Sequence, residues 1–169
     1  MRRILTLASS VSAMLLMSIT WLLLRKPVST ERKDHMERTL AIIKPDAVMA
    51  KNTGNIVNVI ENNDFSIVAM YKTRLTREKA ENFYAVHKGK GFFNELVNFM
   101  ASGPIVVLVL EKEDAVKAWR NVMGDTNPAN AAPGTIRNLY GTSIGSNAVH
   151  GSDATTTATD EIAFFFPNV

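Results

Sequence analysis

The sequence contains no cysteine. Neither a disulfide framework nor a thiolate metal site is therefore available to it. It also lacks a Gly-x-x-x-x-Gly-Lys-Ser/Thr stretch, and Gly89-Lys90-Gly91 is too short for a protein-kinase glycine-rich loop. A phosphate site built on either loop is excluded. Histidine is scarce, at three residues, and most of the chain carries no positive excess. Of 19 basic and 16 acidic side chains, six basic and two acidic fall in residues 1–35, which leaves 13 and 14, or −1, for the other 134 residues. General attraction to a nucleic-acid backbone has no support from such a balance.

What is present begins with one long apolar run. Residues 4–24 hold no charge and are flanked by Arg2-Arg3 and Arg25-Lys26. As a helix the run spans roughly 31 Å, long enough to cross a bilayer. No small-x-small pair closes it as a signal peptide, and it is too apolar for an amphipathic transit peptide. Arg25, Lys26, Arg32, Lys33 and Arg38 favour a cytosolic position for whatever follows. Met36, just before the first strand signal, offers another reading: it is the initiator, and residues 1–35 are a spurious extension. Both remain open, a single-span membrane anchor through residues 4–24 or an extension ahead of a cytoplasmic domain at 36–169.

From Thr39 onward, strand and helix signals alternate in a length suited to one domain. Thr39–Lys44 reads as a buried strand ended by Pro45. Ile56, Val57 and Ile60 mark a helix that opens at Asn52 to Asn55 and closes at Asn62-Asn63-Asp64. Ile67–Leu75 alternates as a strand. Thr76 is a plausible N-cap for a helix with Ala80, Phe83, Tyr84 and His87 on one face. Phe92, Leu96, Phe99 and Met100 suggest another helix, Ile105–Leu110 a strongly β-like run, and Asp114–Met123 a helix. Residues 124–146 read as a long loop with a weak helical signal, a length that points to function. Ala148–His150 and a helix from Thr155 to Phe166 complete the series. This order fits an α+β sandwich, a ferredoxin-like βαββαβ arrangement with an antiparallel sheet.

The histidines differ in setting. His35 lies in a charged linker, and His87 ends a helix signal, where a C-terminal cap is the ordinary explanation. His150 follows an apolar dipeptide and precedes Gly151-Ser152-Asp153. Asn147-Ala148-Val149-His150-Gly151-Ser152-Asp153 resembles the active-site signature of the nucleoside diphosphate kinases. Glu37 through Val48 is similar to their opening strand. Thr126-Asn127-Pro128-Ala129, Pro133-Gly134-Thr135-Ile136-Arg137, and Phe92-Phe93 followed by Ser102-Gly103-Pro104 are similar to further stretches of the family. The likeness runs from Glu37 to about Phe166.

The resemblance implies an enzyme that moves a γ-phosphoryl group between nucleotides by a ping-pong route, with His150 as nucleophile. A neutral imidazole can attack and hold the phosphoryl group covalently, so donor and acceptor use one site in turn. Glu161 and Ser152 are then expected to fix the His150 ring. Lys44, Arg120, Thr126 and Arg137 are expected on the phosphates, where an Arg fork donates two parallel bonds. Asn147, with Lys44, is expected on the ribose, Tyr84 beside the transferring group, and Phe92 and Ile144 on the faces of the base. Magnesium is expected to arrive on the nucleotide's phosphates, with no carboxylate cage of its own. The family assembles as homotetramers or homohexamers, so nucleoside di- and triphosphates and further copies of the chain are the expected partners.

Two positions depart from the family pattern. Gly91 stands where a proline is common, and the chain ends at Val169, short of the longer tail of eukaryotic members, which leans toward a bacterial type. Two other functions compete. The same βαββαβ order serves RNA recognition, although Ile105–Leu110 lacks the exposed aromatic and basic residues for stacking bases. A phosphohistidine carrier between proteins would leave Lys44, Tyr84, Phe92 and Asn147 without purpose.

Overall fold

The computed structural model describes residues 36–169. The apolar run at 4–24 and its two readings lie outside the described residues. Among the described residues no helix is long and apolar enough to cross a membrane.

The elements follow one another as β1 (Met36–Ile43), α1 (Pro45–Met49), α2 (Thr53–Asn62), β2 (Ser66–Arg74), α3 (Arg77–Phe83), α4 (Phe93–Ala101), β3 (Pro104–Glu113), α5 (Ala115–Met123), α6 (Ile136–Tyr140), β4 (Val149–Gly151) and α7 (Thr155–Phe165). The four strands form one antiparallel sheet in the order β2-β3-β1-β4, the ferredoxin-like α+β fold expected from the sequence.

Burial explains the strand patterns. β3 lies inside the sheet with helices on both faces, so Ile105 through Leu110 are all buried and the run is continuously apolar. β2 lies at an edge, and its residues alternate between exposed and half-buried. One core packs Ala41, Ile43 and Leu108 against Ile56, Trp119 and Met123. The other packs Leu40, Ile42 and Val107 against Ala80, Val97 and Phe165. Alternate residues of β1 thus feed opposite sides of the sheet.

Local chemistry sets several boundaries. Thr76 caps α3 as expected, its hydroxyl accepting from the Lys79 amide at 3.1 Å. That cap contributes about 1 kcal/mol. β1 starts earlier than its apolar run because Glu37 and Arg38 register with Lys112 and Glu111, and Arg38 Nε donates to Glu111 at 2.9 Å. Pro45 does not merely end β1; it occupies the first turn of the short helix α1, where a missing N–H costs nothing. The loop at 124–146 contains a 3-10 turn, Pro128–Asn130, and α6. His87 closes a 3-10 turn, Ala85–His87, rather than α3 itself.

Candidate active site

β4 is three residues long and, among the described residues, pairs only with β1, placing His150 opposite Ile42. His150 therefore faces the side covered by α3, α4 and α7. Its carbonyl accepts from Trp119 Nε1 at 3.2 Å, which ties the strand to α5. The ring is about one-fifth exposed, walled by Phe83 at 5.4 Å and Tyr84 at 6.0 Å between centroids, both edge-on.

The ring is held from one nitrogen. Nε2 lies 3.2 Å from both carboxylate oxygens of Glu161, in the C-terminal half of α7. Ser152 Oγ donates to the same carboxylate at 2.6 Å and accepts from the Leu40 amide at 3.2 Å. Ser152 is fully buried, so this chain fixes Glu161 to the sheet. A carboxylate accepts only, so Nε2 carries the proton and Nδ1 keeps its lone pair.

The peptide before His150 is strained. Ala148 has φ of 66°, and Val149 N donates to Asn147 O at 2.8 Å, which makes a γ-turn of the rare positive-φ kind. It is held at both ends: Ala148 N donates to Asp46 Oδ2 at 3.0 Å, and Ala148 O accepts from Lys44 N at 2.9 Å. Nothing in the residue types of Asn147–Val149 signals this turn. Asp46 offered the one clue, because a carboxylate beside a buried strand end needs a donor.

The turn delivers Asn147 to Lys44. Lys44 Nζ donates to Asn147 Oδ1 at 2.6 Å, and Asn147 Nδ2 donates to Thr126 O at 3.0 Å, leaving one amide hydrogen uncommitted. Both Lys44 and Asn147 are buried. Burial, and then the nearby Arg137 charge, pulls the Lys44 pKa down to about 8 against the opposing pull of Asp46. Arg137 donates to Gly124 O at 3.0 Å and Val149 O at 3.2 Å, bracing the loop against β4. Its Nε is buried with no partner among the described residues. Burial and then the Arg120 charge lower its pKa too. Among the described residues none of Lys44, Arg120 and Arg137 is in a salt bridge. Cations that press on one another, with Asp46 and Asp125 near but not in ion-pair contact, leave positive charge for an anion.

The structure therefore brings together His150, Glu161, Ser152 and Tyr84, and sets Lys44, Asn147 and Arg137 beside them. Tyr84 is buried, its hydroxyl has no partner among the described residues, and burial followed by the Glu161 charge pushes its pKa up, so it stays protonated as a donor. Thr126 is exposed and touches Asn147 through its carbonyl. Arg120 is exposed and lines a surface crevice with Lys117, Asp114 and Asp153. Phe92 and Ile144 stand out from the surface at 50% and 62% exposure. Phe83, Trp119 and Asp46 support the site and were not expected to. Among the described residues no three His, Asp or Glu side chains converge to hold a metal ion.

The nucleoside diphosphate kinase family model matches residues 37–169. A nucleoside diphosphate kinase of Nitrobacter hamburgensis is 58% identical over 131 residues, 78% of this chain and 94% of that protein. The Sorangium cellulosum enzyme is 56% identical, over 78% of this chain and 91% of its own. Among solved structures, the Aquifex aeolicus nucleoside diphosphate kinase has a TM-score of 0.77 and 46% identity, covering 78% of this chain and 95% of that one. A Halobacterium salinarum nucleoside diphosphate kinase, solved in complex with CDP, has a TM-score of 0.77 and 41% identity over 79% and 90% of the two chains. With a shared fold and a match across the whole described region, this chain belongs to the nucleoside diphosphate kinase family, enzymes that transfer phosphoryl groups between nucleotides.

Proposed function

We propose that the protein transfers the γ-phosphoryl group of a nucleoside triphosphate, chiefly ATP, to nucleoside diphosphates through a phosphohistidine on Nδ1 of His150. One observation carries this reading: Nε2 is committed to Glu161, so the lone pair on Nδ1 is the free end of the imidazole. In the first half-reaction Nδ1 attacks the γ-phosphorus in line. The N–P bond forms as the bond to the β–γ bridging oxygen breaks, and the diphosphate leaves with that electron pair. Nε2 keeps its proton, and the Glu161 carboxylate offsets the positive charge that grows on the ring. A second diphosphate reverses the sequence, which yields triphosphates other than ATP.

Charge on the equatorial oxygens is what such a transfer has to stabilise. Lys44 and Arg137 supply cations held in no salt bridge among the described residues, with Arg120 and Thr126 at the rim, and the Tyr84 hydroxyl donates to the moving group. Asn147 and Lys44 hold the ribose. Phe92 and Ile144 grip the base by its faces, and their exposure leaves the base edges in water, which explains tolerance of different bases. Magnesium enters as part of the nucleotide substrate, held by the nucleotide's own phosphates.

Self-association into a tetramer or hexamer is part of the proposal. The β2 edge leaves one row of backbone groups facing outward, with Val68 and Met70 exposed on it. RNA recognition is disfavoured, because β3 is buried on both faces and offers no stacking platform. The test is direct. Incubation with γ-labelled ATP should give an acid-labile label on the protein that CDP then removes as CTP. Transfer that needs both nucleotides bound together, with no labelled protein, would overturn the mechanism.

A further inference from the structure

Of the two histidines among the described residues, His87 has no part in the scheme above. Its backbone is fixed on both sides, His87 N donating to Tyr84 O at 2.8 Å and His87 O accepting from Lys90 N at 3.0 Å. Its half-buried ring makes no hydrogen bond to a helix carbonyl among the described residues, so the capping role expected from the sequence is not what holds it. Two aromatic neighbours are. On one side it stacks on Tyr84, 6.2 Å between centroids with planes 21° apart. On the other it meets Phe92 at 5.5 Å and 58°. Tyr84 in turn stands edge-on to His150.

Four rings thus run in a row, Phe92, His87, Tyr84 and His150, from the mouth of the site to its nucleophile. Phe92 is half exposed and follows the loop at 88–91, which contains Gly89 at φ of +88°. Its backbone opens α4 as the N-cap, its carbonyl accepting from Leu96 N at 3.0 Å, while among the described aromatic rings its own ring packs on His87 alone. His87 is the wall between it and the buried Tyr84.

We propose that His87 is a positioning residue for the base: it holds the Phe92 ring at the angle that a nucleobase stacks on and backs it against Tyr84. This rests on the reading of Phe92 as the base platform. Tyr84 stands between His87 and the His150 ring, so the effect of His87 falls on nucleotide binding and spares the chemistry. An aromatic pair is worth a few-fold to about tenfold in a binding constant.

The experiment compares full-length wild type with His87→Ala, His87→Gln and His87→Phe. It reads kcat and KM for ATP and CDP, unfolding temperature, and labelling by phosphoramidate, a phosphoryl donor that has no base. The expected result is a KM raised about three- to tenfold in His87→Ala and His87→Gln, with kcat and phosphoramidate labelling close to wild type. His87→Phe should bring KM back to within about twofold, since it restores a ring between the two neighbours. Unchanged KM in the Ala and Gln variants overturns the proposal. So does an equal loss with ATP and phosphoramidate, which marks a structural role, and so does a Phe variant as weak as Gln. Wild-type protein that takes no phosphoryl group from ATP would instead sink the reading of the site itself.

Discussion

Gly151 gives the sharpest test of how the site is built. Its φ is ordinary, so an added side chain meets no backbone strain, only neighbours. A Cβ there would lie 2.3 Å from Trp119 Cδ1, 2.5 Å from Trp119 Nε1 and 2.8 Å from Met123 Cε. The methionine tip can swing away. The indole cannot, because Trp119 is fully buried and its Nε1 is bonded to the His150 carbonyl. Restoring ordinary contact requires β4 and α5 to separate by roughly 1 Å. Overpacking of this kind costs about 1–3 kcal/mol, or about 3–10 °C in Tm for a domain of this size. The displaced residue is the neighbour of His150, and a shift of ~1 Å in a reacting group costs about 10²-fold in rate. Gly151→Ala should therefore lose both stability and phosphoenzyme formation. Gly91→Ala, with nothing within 4 Å of its added carbon, should lose neither. The assay is thermal unfolding by circular dichroism at one fixed protein concentration, paired with labelling by γ-labelled ATP. A Gly151→Ala protein with the Tm and labelling rate of wild type would refute the claim that strand and indole share one tight contact.

Replacing His150 by Gln should abolish labelling and transfer. Arg137→Ala should slow transfer about 10²–10³-fold, roughly 3–4 kcal/mol, and should also lower Tm, because it releases the carbonyls of Gly124 and Val149. Glu161→Gln should be mildest, and equal losses in all three would break this division of roles. Lys44 predicts a pH dependence. With its pKa at about 8 in the free protein, it loses charge as pH rises through 8, so calorimetric affinity for ADP should fall about tenfold from pH 7 to 9. Between about 8 and 10.5 the unfolded chain holds a proton that the native one lacks, so this group's contribution to stability rises with pH there. A flat affinity profile, or an unchanged step in Lys44→Met, contradicts the assignment. Residues 36–169 expressed alone should fold and transfer phosphate, since every motif and the whole family match lie within them; inactivity beside active full-length protein would show that the first 35 residues matter.

Elements with a clear period were legible in the sequence. The cap at Thr76, the alternating strand β2 and the strongly β-like run of β3 all follow from residue types and spacing. α1 was missed because five residues are too few to show a helical period, and its Pro45 reads equally as a stop. α6 was submerged in a polar loop for the same reason. In the site, the motif around His150 singled that residue out, yet its support came from places the sequence does not link. Ser152 reaching the Leu40 amide, Asp46 holding the Ala148 turn and Trp119 seizing the His150 carbonyl are contacts made by topology. Arg137 could be proposed for phosphate from its motif, but its second task of bracing two backbone carbonyls is visible only in three dimensions. The cap assigned to His87 failed because the turn at 85–87 points its ring toward two aromatic neighbours instead of a helix end.

The brevity of β4 bears on synthesis. The bonds that set the site span the chain, 103 residues between Lys44 and Asn147 and 112 between Leu40 and Ser152. Non-local pairings of this length come late in folding, after the entropy of closing the loop has been met. A ribosome that has released β1, β2 and β3 has made most of a sheet and none of an enzyme. Glu161, on the last helix, must also emerge before the imidazole is aimed. Nascent chains, and chains cut short before β4 and α7, are thus silent by construction, and nucleotide is consumed only by molecules whose final strand has found its first.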